Sequence, residues 1–183
     1  MTLHFAKPYA DFVARLRVPG GFLLAAAFAW FSEPSARSLA FGLPVSVLGL
    51  ALRAWAAGHL AKNQTLATSG PYAYTRNPLY LGTLLVAAGL VIASRRALLA
   101  VLFGAMFLLV YLPAIQLEQQ HLSSLFTDYA PYAKSVPALL PRVTPAGGQH
   151  RFQWNLYIKN REYQAAAGWL AGVAILAWKA WLR

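Results

Sequence analysis

Residues 79–116 read LYLGTLLVAAGLVIASRRALLAVLFGAMFLLVYLPAIQ. Apart from Arg95 and Arg96, the stretch carries no charged side chain. It divides into an apolar run Leu79–Ala93, a tight turn at Arg95-Arg96, and a second run Ala97–Gln116. Two apolar segments of this length joined by a short charged turn predict a helical hairpin in a bilayer, because a spanning helix needs about 20 apolar residues. Three further apolar segments lie outside it. Pro19–Phe31 is predicted to be a helix opened by its proline and closed before Ser32-Glu33-Pro34. Leu39–Ala57 is interrupted by Pro44 and carries Arg53. Ala165–Leu182 has tryptophans near its ends, where interfacial belts place them. The expected fold class is therefore all-α: a polytopic membrane protein with about five transmembrane helices. Residues Met1–Val18 are polar to amphipathic and read as an interfacial lead-in.

Composition agrees with that reading. Of 183 residues, 58% are hydrophobic and 11% charged, under half the charged fraction of an ordinary soluble domain. The net charge of +11 has two readings, nucleic-acid binding or anchoring beside anionic headgroups. Lys and Arg flank the apolar runs and no basic recognition module is present, so anchoring is favoured and nucleic acid is not expected as a partner. The absence of cysteine excludes disulfides, thiolate metal sites and a cysteine nucleophile. No cleavable signal peptide is evident before Glu33-Pro34. With the N-terminus inside, ten basic residues flank the cytoplasmic side (Lys7, Arg15, Arg17, Lys62, Arg76, Lys134, Arg142, Arg151, Lys159, Arg161). Five flank the outer side (Arg37, Arg95, Arg96, Lys179, Arg183). That orientation puts the Lys62–Arg76 loop and the polar Leu117–Tyr163 segment on one cytoplasmic face.

Both polar stretches hold residues suited to chemistry. The first runs Ser69-Gly70-Pro71-Tyr72-Ala73-Tyr74-Thr75-Arg76-Asn77-Pro78-Leu79-Tyr80-Leu81-Gly82. Gly70-Pro71 signals a turn, and Pro78 suits the first turn of the next helix, whose free N–H groups can receive a carboxylate. The alternative is a surface loop with tyrosines in the aromatic belt. In the second stretch Leu122, Leu125, Phe126 and Tyr129 recur at helical spacing, predicting a cytoplasmic amphipathic helix along the membrane surface. Glu118 sits where the fourth apolar run ends, and an acid there needs a partner or solvent. His121, one turn on, reads as a solvated histidine, since no second ligand has metal-site spacing; no metal is expected. Arg53 could snorkel to the headgroups or face a polar cavity and bind an anionic group, and the sequence leaves both open.

Taken in order, Gly49-Leu50-Ala51-Leu52-Arg53, then Gly70 to Gly82, then a hairpin, then Glu118 with Leu122, Phe126, Tyr129, Tyr132, Val136-Pro137 and Pro141, resembles the isoprenylcysteine carboxyl methyltransferase and phospholipid methyltransferase family. The resemblance spans roughly Val45–Arg142. It implies one integral membrane domain over 1–183, with 45–142 as its methyltransferase-like core and 143–183 as a C-terminal extension bearing the last transmembrane helix. The family's usual Arg-His-Pro is Arg76-Asn77-Pro78 here, and its adjacent glutamates are Glu118-Gln119.

The resemblance implies S-adenosylmethionine as methyl donor and a lipophilic acceptor, an isoprenylcysteine carboxylate or a lipid, entering from the bilayer. By the same resemblance Gly70, Tyr72, Tyr74, Arg76, Asn77, Pro78, Tyr80, Gly82, Glu118, Tyr129 and Tyr132 would contact the donor. The tyrosine faces would receive the sulfonium and adenine. Arg76 and the Pro78 helix start would hold the carboxylate. Arg53 would orient a carboxylate acceptor, and Glu118 would serve as base for an amine or hydroxyl. A sterol-type NADPH reductase and a non-enzymatic membrane scaffold are the competing readings.

Overall fold

The computed structural model describes residues 5–148 and 150–182. Those residues form helices and no strands. α1 spans Lys7–Phe31, α2 Ala36–Ala57, α3 Pro78–Ser94 and α4 Ala97–Leu125, the last with one π turn at Phe107–Tyr111. Two short helices, α5 (Tyr129–Ser135) and α6 (Trp154–Lys159), precede α7 (Tyr163–Trp181).

Three helices, α1, α2 and α4, are long and apolar enough to cross a membrane. α3 is apolar but has 17 residues, about 25 Å at 1.5 Å per residue, a little short of a 30 Å hydrocarbon core. α7 has 19 residues, carries Lys179 in its last turn and is not among those three.

Two expectations about helix boundaries give way. Pro19 does not open α1 but lies inside it, and Pro44 likewise lies within an unbroken α2. Pro8, in the first turn of α1, occupies the position where a missing N–H costs nothing. An interior proline frees one carbonyl, a loss that long spanning helices tolerate. The surface helix expected from Glu118 onward is also absent as a separate element. Residues 117–125 continue α4, the chain turns extended at Phe126, and a new short helix begins at Tyr129.

α2 and α3 form the tightest pair. Gly42, Ser46 and Gly49 on α2 meet Gly82, Gly89 and Ala93 on α3, a stripe of small residues of the kind that lets helix backbones approach in lipid. A Cβ added at Gly49 would lie 2.5 Å from the Val86 nitrogen and 2.6 Å from the Gly82 carbonyl oxygen. The pair is closed at one end by the Ser35–Ser38 capping box, with Ser38 Oγ also donating to Ala93 O at 2.9 Å. Arg95, in the left-handed region at φ 56°, turns α3 into α4. α1 lies along α4, where Tyr9 donates to Leu109 O at 2.8 Å and Gln116 pairs with the Phe5 backbone.

After α5 the chain runs back across the loop between α2 and α3 as a strap. Arg76 N donates to Pro137 O, Arg142 N to Tyr74 O, Ala146 N to Ala73 O and Gln153 N to Gly58 O, all between 2.9 and 3.0 Å. Asn160 Nδ2 then caps the end of α2 through Ala57 O at 3.0 Å and Leu60 O at 2.8 Å. α7 is pinned at both ends: by Glu162 to Arg53, and by Lys179, which donates to Ala29 O and Trp30 O at the end of α1.

Candidate active site

The loop between α2 and α3, the end of α4, α5 and the start of α7, with faces of α1, α2 and α3, line an open cavity of about 1000 Å³. Its lining divides into three regions. The first is built by the Gly70–Ala73 turn and α5. Tyr132 donates its hydroxyl to Tyr72 O at 2.8 Å, and Arg76 Nη1 donates to the Tyr129 hydroxyl at 3.2 Å. The Arg76 guanidinium lies 6.0 Å from the centre of the Tyr129 ring, within cation–π range. Burial raises the pKa of the Tyr72, Tyr129 and Tyr132 hydroxyls above the usual 10.0, so all three stay protonated; at Tyr129 the Arg76 charge opposes that rise. Arg76 Nε is buried with no acceptor. A buried, charged donor left unpaired is costly; Arg76 as a whole is part-exposed and lines the cavity.

The second region is a hydrogen-bonded set. The Tyr80 hydroxyl donates to Glu118 Oε2 at 3.1 Å and accepts from Arg17 Nη1 at 3.3 Å. Glu118 is exposed on the cavity side, which meets its need for solvent and a partner together. The third region is more apolar, with Phe22 and Ala25 of α1, Leu50 of α2 and Gly168 of α7 in its wall. Its polar centre is Arg53. Nε of that residue pairs with Glu162 Oε1, and Nη1 donates to Thr83 Oγ1 and, at 3.3 Å, to Leu79 O.

Of the residues singled out in the sequence, Arg53, Tyr72, Arg76, Asn77, Pro78, Tyr80, Glu118, Tyr129 and Tyr132 line this cavity. Asn77 N-caps α3 without a side-chain cap; its Nδ2 donates to Ala138 O at 2.8 Å and so fastens the strap. Three others do not line it. Tyr74 packs against Trp55, ring centres 6.4 Å apart. Gly70 supplies a left-handed turn at φ 57°, where a Cβ would meet the His59 ring at 2.6 Å. Gly82 makes room for Arg53, whose Cγ would lie 2.5 Å from a Cβ there. Both glycines shape the backbone around the site. Sequence reasoning passed over Glu162, Thr83 and Arg17. Glu162 had a signal: the chain has five acidic residues, and one of them opens the last apolar run while a lone arginine sits inside the second.

Residues 38–129 match the phospholipid methyltransferase family. The chain belongs to that family. It is thereby placed in the isoprenylcysteine carboxyl methyltransferase-like group of membrane methyltransferases, as its motifs imply. The matched span begins earlier and ends earlier than the Val45–Arg142 read from motifs, and for this family member the strap and α7 lie beyond it. Among curated proteins, the cobalt-zinc-cadmium resistance protein CzcN of Cupriavidus metallidurans is 31% identical over 141 residues, covering 73% of this chain and 64% of its own length. The nickel-cobalt-cadmium resistance protein NccN of Alcaligenes xylosoxydans xylosoxydans is 32% identical over 108 residues, covering 56% of this chain and 51% of its own length. The chain thus spans between half and two thirds of these relatives. No solved structure gives a significant match.

Proposed function

We propose that this membrane protein transfers a methyl group from S-adenosylmethionine to a lipophilic acceptor, with Tyr72, Arg76, Tyr129 and Tyr132 as the donor end of the cavity. The observation that carries the reading is Arg76 on the cavity wall, part-exposed, set beside Tyr129 and with no carboxylate partner among the described residues. The donor's amino-acid carboxylate is an anion of the right chemistry for it, and the adjoining tyrosine faces suit a sulfonium and an adenine. When bound, S-adenosylmethionine supplies an electrophilic methyl group. The chain's own part is to hold the carboxylate with Arg76, to keep the tyrosines neutral with Tyr132 fixed by its bond to Tyr72 O, and to exclude water. Glu118, oriented by Tyr80, is the group we assign to take a proton from an amine or hydroxyl acceptor.

In this reading the chain is one membrane unit, with 45–142 as catalytic core, α1, α2, α3, α4 and α7 all crossing, and the N-terminus and cavity mouth on the cytoplasmic side. The two-to-one bias of basic residues supports that orientation. The relatives are named for resistance to metal ions. Among the described residues no three His, Cys, Asp or Glu side chains are grouped as a metal site. We therefore place any part in metal tolerance downstream of a methylated membrane component.

Calorimetry in detergent with S-adenosylhomocysteine and, separately, NADPH tests the donor. Saturable binding of the nucleoside thioether is expected. Binding of NADPH alone would support a reductase, and binding of neither a scaffold.

A further inference from the structure

Arg53 lies in a span, where an unpaired cation is expensive. Its counter-charge comes from Glu162, beyond the family-matched residues 38–129. Glu162 is buried, at 8% exposure. The approach is constrained from both sides. Asn160 Nδ2 fastens the strap to Ala57 O and Leu60 O, and Arg161 turns it in the left-handed region at φ 54°. The same guanidinium also donates to Thr83 Oγ1 and Leu79 O.

An arginine free to face an apolar cavity would attract a carboxylate strongly. Here the pair sums to zero charge. An incoming carboxylate would find Arg53 already satisfied and would meet repulsion from Glu162 in a medium that screens little. Breaking a buried pair to admit it leaves a buried charge uncompensated. We infer that Glu162 sets the acceptor class: the cavity takes a lipophilic molecule with an uncharged nitrogen or oxygen nucleophile in preference to a carboxylate. This rests on the methyl-donor reading above. In the transfer, the nucleophile's lone pair forms the bond to the methyl carbon, sulfur keeps the electron pair of the broken bond, and the acceptor's proton passes to Glu118. Glu162 acts through Arg53 and is a positioning residue. It replaces the carboxylate-orienting role that the motifs imply for that arginine.

The test compares dodecanol with dodecanoate as ligands for the full chain in detergent, after saturation with S-adenosylhomocysteine. Wild type should bind the alcohol more tightly. Glu162→Gln keeps a hydrogen-bond acceptor for Arg53 but frees its charge, and should tighten dodecanoate binding by about tenfold or more. Glu162→Asp, which retains the charge, should keep the wild-type preference, an outcome that a merely structural role does not produce. A wild type that prefers dodecanoate overturns the inference without any variant, as does an unchanged preference in a folded Glu162→Gln protein. If S-adenosylhomocysteine binds and the preference is wrong, the acceptor claim alone fails. If it does not bind wild type, the donor reading fails and this claim with it.

Discussion

Replacing Arg76 with methionine separates a binding role from a structural one. Methionine roughly fills the volume of the arginine stem, so no large void opens. Two larger energies change in the ligand-free protein, beside the loss of a cation–π contact with the Tyr129 ring worth about 0.5–1 kcal/mol. The hydrogen bond from Nη1 to the Tyr129 hydroxyl is lost, worth about 1.5–3 kcal/mol for a charged donor. The unpaired buried Nε is removed, which relieves a penalty of about 1–3 kcal/mol. These nearly cancel, so the unfolding temperature of the ligand-free protein should barely move. The complex behaves differently. Loss of a charge-assisted bond to the donor carboxylate should weaken S-adenosylhomocysteine binding by about 1.5–3 kcal/mol, or roughly 10- to 150-fold in Kd. The assay is calorimetry for affinity and thermal unfolding with and without ligand for stability, both in detergent. Unchanged affinity would refute the reasoning. So would a large drop in ligand-free stability, because Arg76 would then be a structural residue.

Glu118→Gln should lower turnover by about a hundredfold or more, with S-adenosylhomocysteine affinity little changed, if it accepts the acceptor's proton. Full activity by radiometric assay would remove it from that role. Tyr80→Phe, which deletes one orienting hydrogen bond, should cost less, about tenfold in the same assay. Gly49→Val should destabilise the α2–α3 pair by about 1–3 kcal/mol or more, because its Cβ has backbone 2.5 Å away; Gly168→Ala, with nothing within 4 Å, should unfold at the wild-type temperature. His59 is held below its usual 6.5 first by burial and then by the charge of His150. Its neutral form is therefore favoured in the folded state. The stability it contributes is present above pH 6.5 and is lost as pH falls below it. The thermal midpoint should drop on acidification, and His59→Asn should flatten that profile.

Much of this arrangement was open to reading from the chain. Arg95-Arg96 divides two apolar runs, and Pro78 stands where α3 begins, so the hairpin and its entry followed from charge and proline chemistry. Tyr72 and Tyr80 near Arg76, and Glu118, Tyr129 and Tyr132 after Gln116, share one side under the positive-inside bias, and they line one cavity, whereas Tyr74 packs against Trp55 instead. Local rules failed where lipid or long-range pairing overrides them. Pro19 and Pro44 look like breaks because their cost is scaled to water and isolated helices. Residues 117–125 look like a new surface helix because their polarity changes while the backbone hydrogen bonding does not. Arg53 could not be assigned a partner without Glu162, which lies 109 residues away in the chain. Gly82 looked like part of a binding motif, whereas its missing Cβ gives the stem of Arg53 its space.

The central claim is that the cavity beside Arg76 passes a methyl group to a membrane molecule. Membranes from cells producing the wild-type chain or its Arg76→Met variant can be given S-adenosylmethionine with a deuterated methyl group, and their lipid extracts analysed by mass spectrometry. The account predicts a lipophilic species that gains one labelled methyl in the wild-type sample and is absent or sharply reduced in the variant. Label at the same level in both samples, or in no lipophilic species of either, would contradict it.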